Sequence, residues 1–349
     1  MTVRRADVAR LAGTSPSVVS YVLNGGPRKV AEATRQRVLA AIDELGYRPN
    51  GIARSLRMAR TMTLGLVVPD NANPYFAELA RAIEEESFGE GYTLLIGNSS
   101  EDDDRQTTYV QTFLARQVDG LFLVPAHGPL GCLPDLQRAR IPWVTLDREV
   151  PGIAPAVLVD NRGGAYAATR HLLEHGRRRI ACLAGPSDVM PATDRVAGWR
   201  AALAEAGAPA DELWHSPFGR RAGYQAAREM LADGDRPEAI FVASDEQAMG
   251  VLRAMSELGI SCPAEIAITS FDGVAAAMYS TPGLTTGQQP FRRLAQAAVK
   301  RLMDELGADE PSAIEERRTT TEVLPAELVL RGSCGCADPI GNESAREDG

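Results

Sequence analysis

Hydrophobic positions along this chain follow two different periods. In the first 45 residues they recur at helical spacing, as Val8 and Leu11, then Val19, Val22 and Leu23, then Val38, Leu39, Ile42 and Leu45, each set forming one stripe of an amphipathic helix. Ala9 is small enough for two helices to cross closely, and Gly13, four residues on, tolerates the positive φ of a tight turn. The spacing predicts a helix-turn-helix with Val8, Leu11, Val19, Val22 and Leu23 facing inward and Ser17, Tyr21 and Asn24 facing out. Gly46 is placed to end a third helix. An ordinary helical hairpin with the same spacing is the plain alternative.

Beyond Thr61 the pattern becomes strand, then helix, repeatedly. Apolar runs at residues 64–68, 92–96, 120–124, 143–146, 180–184, 239–243 and 266–271 alternate with amphipathic stretches such as 76–88, 165–175, 195–206 and 247–258. Near-continuous apolar strands separated by helices predict parallel sheets covered on both faces. Ligands of such sheets collect beyond the carboxyl ends of the strands. That makes Asp70, Asn73, Tyr75 and Phe76 after the first strand, Asp147 and Arg148, Ser244 and Asp245, and Asp272 candidate site residues. Acidic and amide groups suit a hydroxyl-rich solute, and Tyr75 or Phe76 could stack on a ring. Each has a plainer reading: Asp272 as a helix cap, Tyr75 and Phe76 as hinge packing.

Composition changes this picture in one respect. The 349 residues, long enough for two or three domains, carry 37 Lys and Arg against 46 Asp and Glu, a net charge of −9. As an average this argues against nucleic-acid binding. Residues 1–60, however, hold eleven basic and four acidic side chains, a surplus of +7, which leaves −16 on the remainder. Such asymmetry marks a basic nucleic-acid module joined to an acidic body.

Catalytic chemistry finds little support. There is no G-x-x-x-x-G-K-[ST] loop, no G-x-G-x-x-G after a strand and no G-x-S-x-G elbow. The histidines are His127, His171, His175 and His215; His171 and His175 are four residues apart but lack the glutamate of H-E-x-x-H, and read as a solvated helix end beside Arg177 and Arg179. Asp102, Asp103 and Asp104 read as a helix start rather than a cation site. Five cysteines, an odd and scattered set, suit a reducing compartment. Cys334-Gly335-Cys336 is the one close pair, with no second ligand pair near it in sequence, so neither a metal nor a cofactor is expected. No apolar run approaches the roughly 18 residues of a membrane span, and the start, from Met1 to Asp7, lacks the apolar stretch of a signal peptide; the expectation is a cytoplasmic protein with no membrane role.

The run Asp7-Val8-Ala9-Arg10-Leu11-Ala12-Gly13, then Val19-Ser20-Tyr21-Val22-Leu23-Asn24, Thr34-Arg35, and the segment from Leu45-Gly46-Tyr47-Arg48-Pro49-Asn50 to Leu56-Arg57 resemble the headpiece and hinge of the LacI-GalR (lactose-repressor) family of transcription regulators. The similarity continues through Gly65-Leu66-Val67-Val68-Pro69-Asp70, Asp160-Asn161, Ala184-Gly185-Pro186 and Ser270-Phe271-Asp272, and covers residues 3–333. It implies an N-terminal all-α helix-turn-helix headpiece (1–48), a hinge helix and linker (49–60), and an α/β two-lobed periplasmic-binding-protein-like domain with parallel sheets for effector binding and dimerisation (61–333). The polar tail, 334–349, is expected to be disordered.

Carried over residue by residue, the resemblance places Pro16, Ser17, Val18 and Tyr21 against major-groove base edges and Ser20, Asn24 and Thr34 on phosphates. Asn50 and Ala53 would line the minor groove, where Leu56 wedges between base pairs. In the body, Arg195 would donate to ligand hydroxyls that Asp147 and Asp272 accept from, Phe218 would form an aromatic wall, Gln289 a crossover residue, and Ser244 with Asp245 the pocket edge, alongside Asn73, Tyr75 and Phe76. Phe218 as core, or Arg195 in a buried ion pair, are the structural alternatives. Tyr21 stands where many members have arginine, which removes a bidentate guanine contact of roughly 1–3 kcal/mol. Ala31 replaces a capping serine at a loss of about 1 kcal/mol. The implied function is a repressor that binds double-stranded operator DNA as a homodimer and responds to a small-molecule effector, a sugar first and a purine-like corepressor second. A sugar-binding protein without a DNA role is the alternative, and an enzyme the third.

Overall fold

The computed structural model describes residues 3–24, 29–48, 60–126, 130–150, 152–153, 155–232, 234–307 and 320–337. Asn50, Ala53 and Leu56, the basic loop before Lys29, His127 and the tail from residue 338 lie outside them. The chain divides into two compact units, Met1–Thr61 and Met62–Gly349.

The first unit holds α1 (Arg5–Leu11), α2 (Pro16–Asn24) and α3 (Glu32–Leu45). Val8, Ala9, Ala12, Val19, Val22, Val38, Ala41 and Tyr47 form its core, and Gly13 turns the chain at φ +62°. Gly46 ends α3 in the left-handed conformation at φ +58°, and Ala31 offers α3 no side-chain cap. Two apolar positions depart from expectation: Leu11 is 46% and Leu39 36% exposed. Alanines at 9, 12 and 41 fill the interior instead, because helices this short cross too closely for two more leucines.

The second unit contains two six-stranded sheets. In the first lobe the order is β11-β5-β4-β3-β1-β2, built from β1 (Thr63–Val68), β2 (Thr93–Asn98), β3 (Gly120–Leu123), β4 (Trp143–Leu146), β5 (Ala156–Val159) and β11 (Thr321–Leu324). In the second it is β12-β10-β9-β8-β6-β7, from β6 (Ile180–Ala184), β7 (Leu213–His215), β8 (Ala239–Val242), β9 (Ala267–Asp272), β10 (Thr285–Gln288) and β12 (Glu327–Val329). Neighbouring strands are parallel except β12, which runs antiparallel to β10. Strands β3, β4, β5, β6, β8 and β9 are buried along their length, as sheets covered by helices on both faces require. The run at 92–96 instead forms edge strand β2, which leaves Ile96 exposed.

Helices α4 (Pro74–Gly89), α5 (Asp103–Ala115), α6 (Leu133–Ala139) and α11 (Phe291–Leu306) cover the first sheet; α7 (Asn161–Glu174), α8 (Met190–Glu205), α9 (Arg220–Met230) and α10 (Asp245–Glu257) cover the second. Asp102 caps α5, its carboxylate accepting from Arg105 N at 2.7 Å, which is the helix start the acidic run predicts. The chain passes between lobes three times, near residues 160, 289 and 325.

Each helix pair of the second lobe crosses at a glycine. A Cβ on Gly198 in α8 would lie 2.2 Å from the Arg162 carbonyl oxygen, and one on Gly250 in α10 would lie 2.1 Å from that of Arg220. Alanine normally favours an exposed helix interior over glycine by about 1 kcal/mol. Here the sign reverses: Gly198→Ala should lower the unfolding free energy of the body by roughly 1–3 kcal/mol, the usual cost of overpacking. Urea denaturation checks this, and an unchanged or raised midpoint would contradict the close crossing.

Candidate functional site

On the first unit, α2 begins at Pro16, whose missing N–H costs nothing in a first helical turn, and Val18 N donates to Ser15 Oγ at 3.4 Å. Pro16 and Ser17 are exposed and Val18, Ser20 and Tyr21 half-buried, while Val19 and Val22 face the core. On α3, Thr34 is half-buried and its Oγ1 accepts from Arg37 Nη2 at 3.3 Å, while Arg37 Nε reaches the Ala12 carbonyl at 3.3 Å. Asn24 closes α2, with its side chain outside the described residues.

In the body, a cavity of about 330 Å³ is lined from the first lobe by Asp70, Asn73, Tyr75, Phe76, Glu101, Asp147 and Arg148, and from the second by Pro186, Val189, Pro191, Arg195, Pro217, Phe218 and Asp272. It lies at strand ends, as expected for the fold. Asp70 follows β1, Glu101 follows β2, Asp147 follows β4, and Asp272 ends β9. Asn73 caps α4, accepting from Tyr75 N at 3.0 Å, and this sets Tyr75 and Phe76 in the first turn. The Tyr75 hydroxyl donates to Asp147 Oδ1 at 2.9 Å. Burial first, then the charges of Asp147 and Asp272, push the Tyr75 phenol well above its usual range. Asp147 adopts φ +62°, a conformation that Asp and Asn tolerate better than other side chains. Arg148 forks onto Glu101 at 2.7 and 2.8 Å and also reaches the Pro125 carbonyl at 2.8 Å.

The second lobe supplies a buried charged knot. Arg195 and Asp272 are 3% and 4% exposed, with Nη1 to Oδ1 at 3.1 Å. Arg195 Nε donates to Asn161 Oδ1 at 2.8 Å and Nη1 to the Ala243 carbonyl at 2.5 Å; its guanidinium carbon sits 4.0 Å from the Phe271 ring centroid. Helix α8 starts at Met190 with Pro191 beside it, five residues before the apolar pattern suggests, so Arg195 occupies the second turn rather than the helix start.

Seven of the ten expected effector residues thus line one cavity: Asn73, Tyr75, Phe76, Asp147, Arg195, Phe218 and Asp272. Ser244, Asp245 and Gln289 stand behind it. Ser244 caps α10, its Oγ accepting from Gln247 N at 3.2 Å. Asp245 is fully buried and accepts from Ser270 Oγ, Thr286 Oγ1, Gly273 N and Val274 N at 2.5–2.9 Å, fixing the turn that follows Asp272. Gln289 Nε2 donates to Asp272 Oδ1 at 2.9 Å and so orients that carboxylate. Glu101, absent from the expected set, was within reach of the strand-end rule applied to β2. Pro186, Val189, Pro191 and Pro217 carry no chemical signature in sequence.

The start of the tail is corrected as well. Gly332–Cys334 forms a 3-10 turn, and Cys334 is 2% exposed, held there by packing beneath β9 and β10. Cys334 and Cys336, which have no ligand pair near them in sequence, stand beside His171 and His175.

Residues 6–50 match bacterial regulatory proteins of the lacI family, and residues 169–334 match a periplasmic binding protein-like domain. The HTH-type transcriptional repressor PurR of Erwinia tasmaniensis is 37% identical over 93% of this chain and 95% of its own length. The chain belongs to the lacI family. It is a DNA-binding transcriptional repressor with a small-molecule effector domain, not an enzyme. A lac repressor dimer bound to operator and the anti-inducer ONPF superposes with a TM-score of 0.83 at 28% identity, covering 96% of this chain and 99% of that one. The regulator CelR in complex with cellobiose gives a TM-score of 0.70 at 30% identity, covering 95% and 99%. Among the described residues no helix is long and apolar enough to cross a membrane.

The knot makes this lacI-family body sensitive to pH. Burial, with the nearby Asp245 and Asp147 charges, pushes Asp272 up to about 7 against the opposing pull of Arg195 and Gln289. Its folded pKa thus exceeds the roughly 3.9 of an exposed aspartate. The folded chain binds this proton more tightly, so the stability it contributes is complete below about pH 4 and declines as pH rises through about 7. Asp272→Asn should flatten that decline: the melting temperature of the parent should fall relative to the variant between pH 5 and 8 (roughly the window set by those two pKa values). Parallel curves would show that Asp272 is ionised throughout.

Proposed function

We propose that this repressor binds its operator as a homodimer and that a neutral, hydroxyl-rich ring, a sugar, is the effector held between its lobes. The observation that carries the ligand class is the charge of the cavity wall. Beyond the Arg148–Glu101 and Arg195–Asp272 pairs, the carboxylates of Asp70 and Asp147 remain on the wall, a surplus of negative charge that disfavours phosphorylated or carboxylated ligands. Hydroxyl groups donate to such acceptors while taking bonds from Arg195 and Asn73. Arg148 Nε, buried without a hydrogen bond, lies 3.6 Å from Asp147 Oδ2 and so ties that carboxylate to the Arg148–Glu101 pair. The cellobiose complex of CelR and a lacI-family regulator from Enterococcus faecium with bound ribose support the same class. Three aromatic rings and three prolines on the wall favour, as a second reading, a flat neutral heterocycle such as a purine base.

Closure around the ligand would move the lobes about the crossings at 160, 289 and 325, two of which carry residues bonded to the Arg195–Asp272 pair. The effector thereby favours one of two lobe arrangements, to the extent that it binds them with different affinity. The residues that read DNA would be Pro16, Ser17, Val18 and Tyr21 at base edges, with Ser20, Asn24 and Thr34 on phosphates. Asn50, Ala53 and Leu56 would act at the minor groove.

A thermal-shift panel of neutral sugars, sugar phosphates, nucleosides and purine bases tests the ligand class, since binding raises the melting point by mass action. Stabilisation by neutral sugars alone is expected; stabilisation by purine bases alone would select the second reading. Asp147→Asn suits its left-handed backbone and keeps the side-chain volume, but removes a charged acceptor worth about 1.5–3 kcal/mol. Effector affinity should therefore fall roughly 10- to 150-fold with no loss of DNA binding in effector-free buffer. An unchanged dissociation constant would place the ligand elsewhere.

Leu56→Ala tests the DNA reading. Removing a minor-groove wedge should weaken specific operator binding, leave the residual non-specific binding steeply salt-dependent, and leave the effector-induced thermal shift intact. An unaltered operator affinity would reject the wedge.

A further inference from the structure

His171 and His175 occupy one face at the C-terminal end of α7, and Cys334 ends the 3-10 turn that follows β12, with Cys336 two residues beyond it. Although more than 150 positions separate the pairs in the chain, their four ligand atoms lie within 4.8 Å of one another. His171 Nε2 is 3.3 Å from Cys334 Sγ and 3.5 Å from Cys336 Sγ, and His175 Nε2 is 3.4 Å from Cys336 Sγ. A zinc ion about 2.3 Å from each sulfur and about 2.05 Å from each nitrogen at tetrahedral angles sets each S···N edge at roughly 3.5 Å. Three of the four S···N pairs lie 3.3–3.5 Å apart, at or just below that value.

Hydrogen bonding alone does not account for this arrangement. A neutral imidazole Nε2 offers one lone pair or one N–H, yet that of His171 faces two sulfurs. A single cation at the centre satisfies all four atoms at once. Gly335, at φ +101°, reverses the chain between the two cysteines so that both face α7; a side chain there would adopt a strained backbone. Thr285 Oγ1 lies 3.0 Å from Cys334 Sγ, an outer hydrogen bond of the kind that orients metal ligands. Both cysteines are free thiols.

We propose that His171, His175, Cys334 and Cys336 form a closed structural site for zinc. Four protein ligands leave no open position, so the site is a staple and not a catalytic centre. It pins the last return of the chain into the second lobe onto α7, the helix whose first residue, Asn161, holds Arg195 at 2.8 Å. The site stands apart from the effector cavity, whose lining contains none of these four residues, so its fate is independent of the effector reading.

The test uses the full chain expressed with zinc, freed of any affinity tag and dialysed. Elemental analysis should find one zinc per chain, and the metal-stripped protein should bind Co(II) with the visible spectrum of a tetrahedral thiolate complex. His175→Ala and Cys336→Ser, at positions that are not fully buried, should each weaken zinc binding by more than the roughly 10- to 100-fold typical of losing an outer-sphere partner, with circular dichroism reporting that the fold persists. Stripping zinc should lower the melting temperature of the parent and leave that of either variant unmoved. Sub-stoichiometric zinc with no Co(II) spectrum, zinc retained equally in both variants, or a Cys334–Cys336 disulfide in protein kept under reducing conditions would each overturn the proposal. So would two variants that both fail to fold while the stripped parent melts like the loaded one.

Discussion

A guanidinium and a carboxylate, both almost wholly out of water, meet at 3.1 Å where α8 passes the end of β9. Removing either ion from water costs several kcal/mol, and their mutual attraction offsets that only when the remaining polar atoms are also satisfied. Here they are drawn from different parts of the chain: Asn161 at the start of α7, the Ala243 carbonyl after β8, and Gln289 after β10. The pair and its partners therefore fix five segments to one point: α8, the end of β9, the start of α7 and the residues after β8 and β10. As a source of stability such a knot is poor, since an apolar replacement of the same volume often does as well. Its value lies in presenting one donor fork and one acceptor, already oriented, at the floor of a cavity.

Asn161 and Gln289 are also where the chain enters and then leaves the second lobe. A change in the hydrogen bonding of Arg195 or Asp272 is therefore felt first at two of the three connections between lobes. Coupling between sites needs an element with two arrangements and a ligand that distinguishes them. In the proposed mechanism the connections would provide the first, and a ligand touching Tyr75 and Asp147 on one lobe and Arg195 on the other would provide the second. Asp245, with its four donors, ties the turn after Asp272 to β9 and β10.

Legibility in the sequence followed the strength of each local signal. Strands buried on both faces, such as β1, β4 and β6, announced themselves as unbroken apolar runs. Strands β7, β10, β11 and β12 did not, because polar residues such as His215, Thr285, Gln288, Glu322 and Glu327 break the apolar run; β5, as apolar as β4, was simply missed. Gly13, Gly46 and Asp102 were readable because each answers a purely local backbone demand. Leu11 and Leu39 were misplaced because helical period identifies a stripe but not which of its edges faces a neighbour. In the site, strand-end polar residues led to most of the cavity wall, whereas Ser244 and Asp245 followed the same rule and proved to serve the backbone. Strand-end position selects a neighbourhood; only packing decides which side chain turns into the cavity. The His171, His175, Cys334 and Cys336 cluster failed for a related reason: each half has the spacing of a weak ligand pair, and nothing local links one half to the other.

The division of charge has a consequence for both ligands of this repressor. With +7 on residues 1–60 and −16 on the rest, attraction to the phosphate backbone must arise from the first segment against repulsion from the body. Over distances beyond a Debye length of about 8 Å at physiological salt, that repulsion is screened, so it acts on close approach and penalises complexes in which the body lies against the duplex. The same acidity reaches the cavity, where carboxylates outnumber guanidiniums. The same sign of charge that opposes phosphates outside would oppose them within, which is the basis for proposing a neutral effector. Negative charge beyond residue 60 thus opposes close approach of the body to a duplex and, under the proposed function, of anions to the cavity.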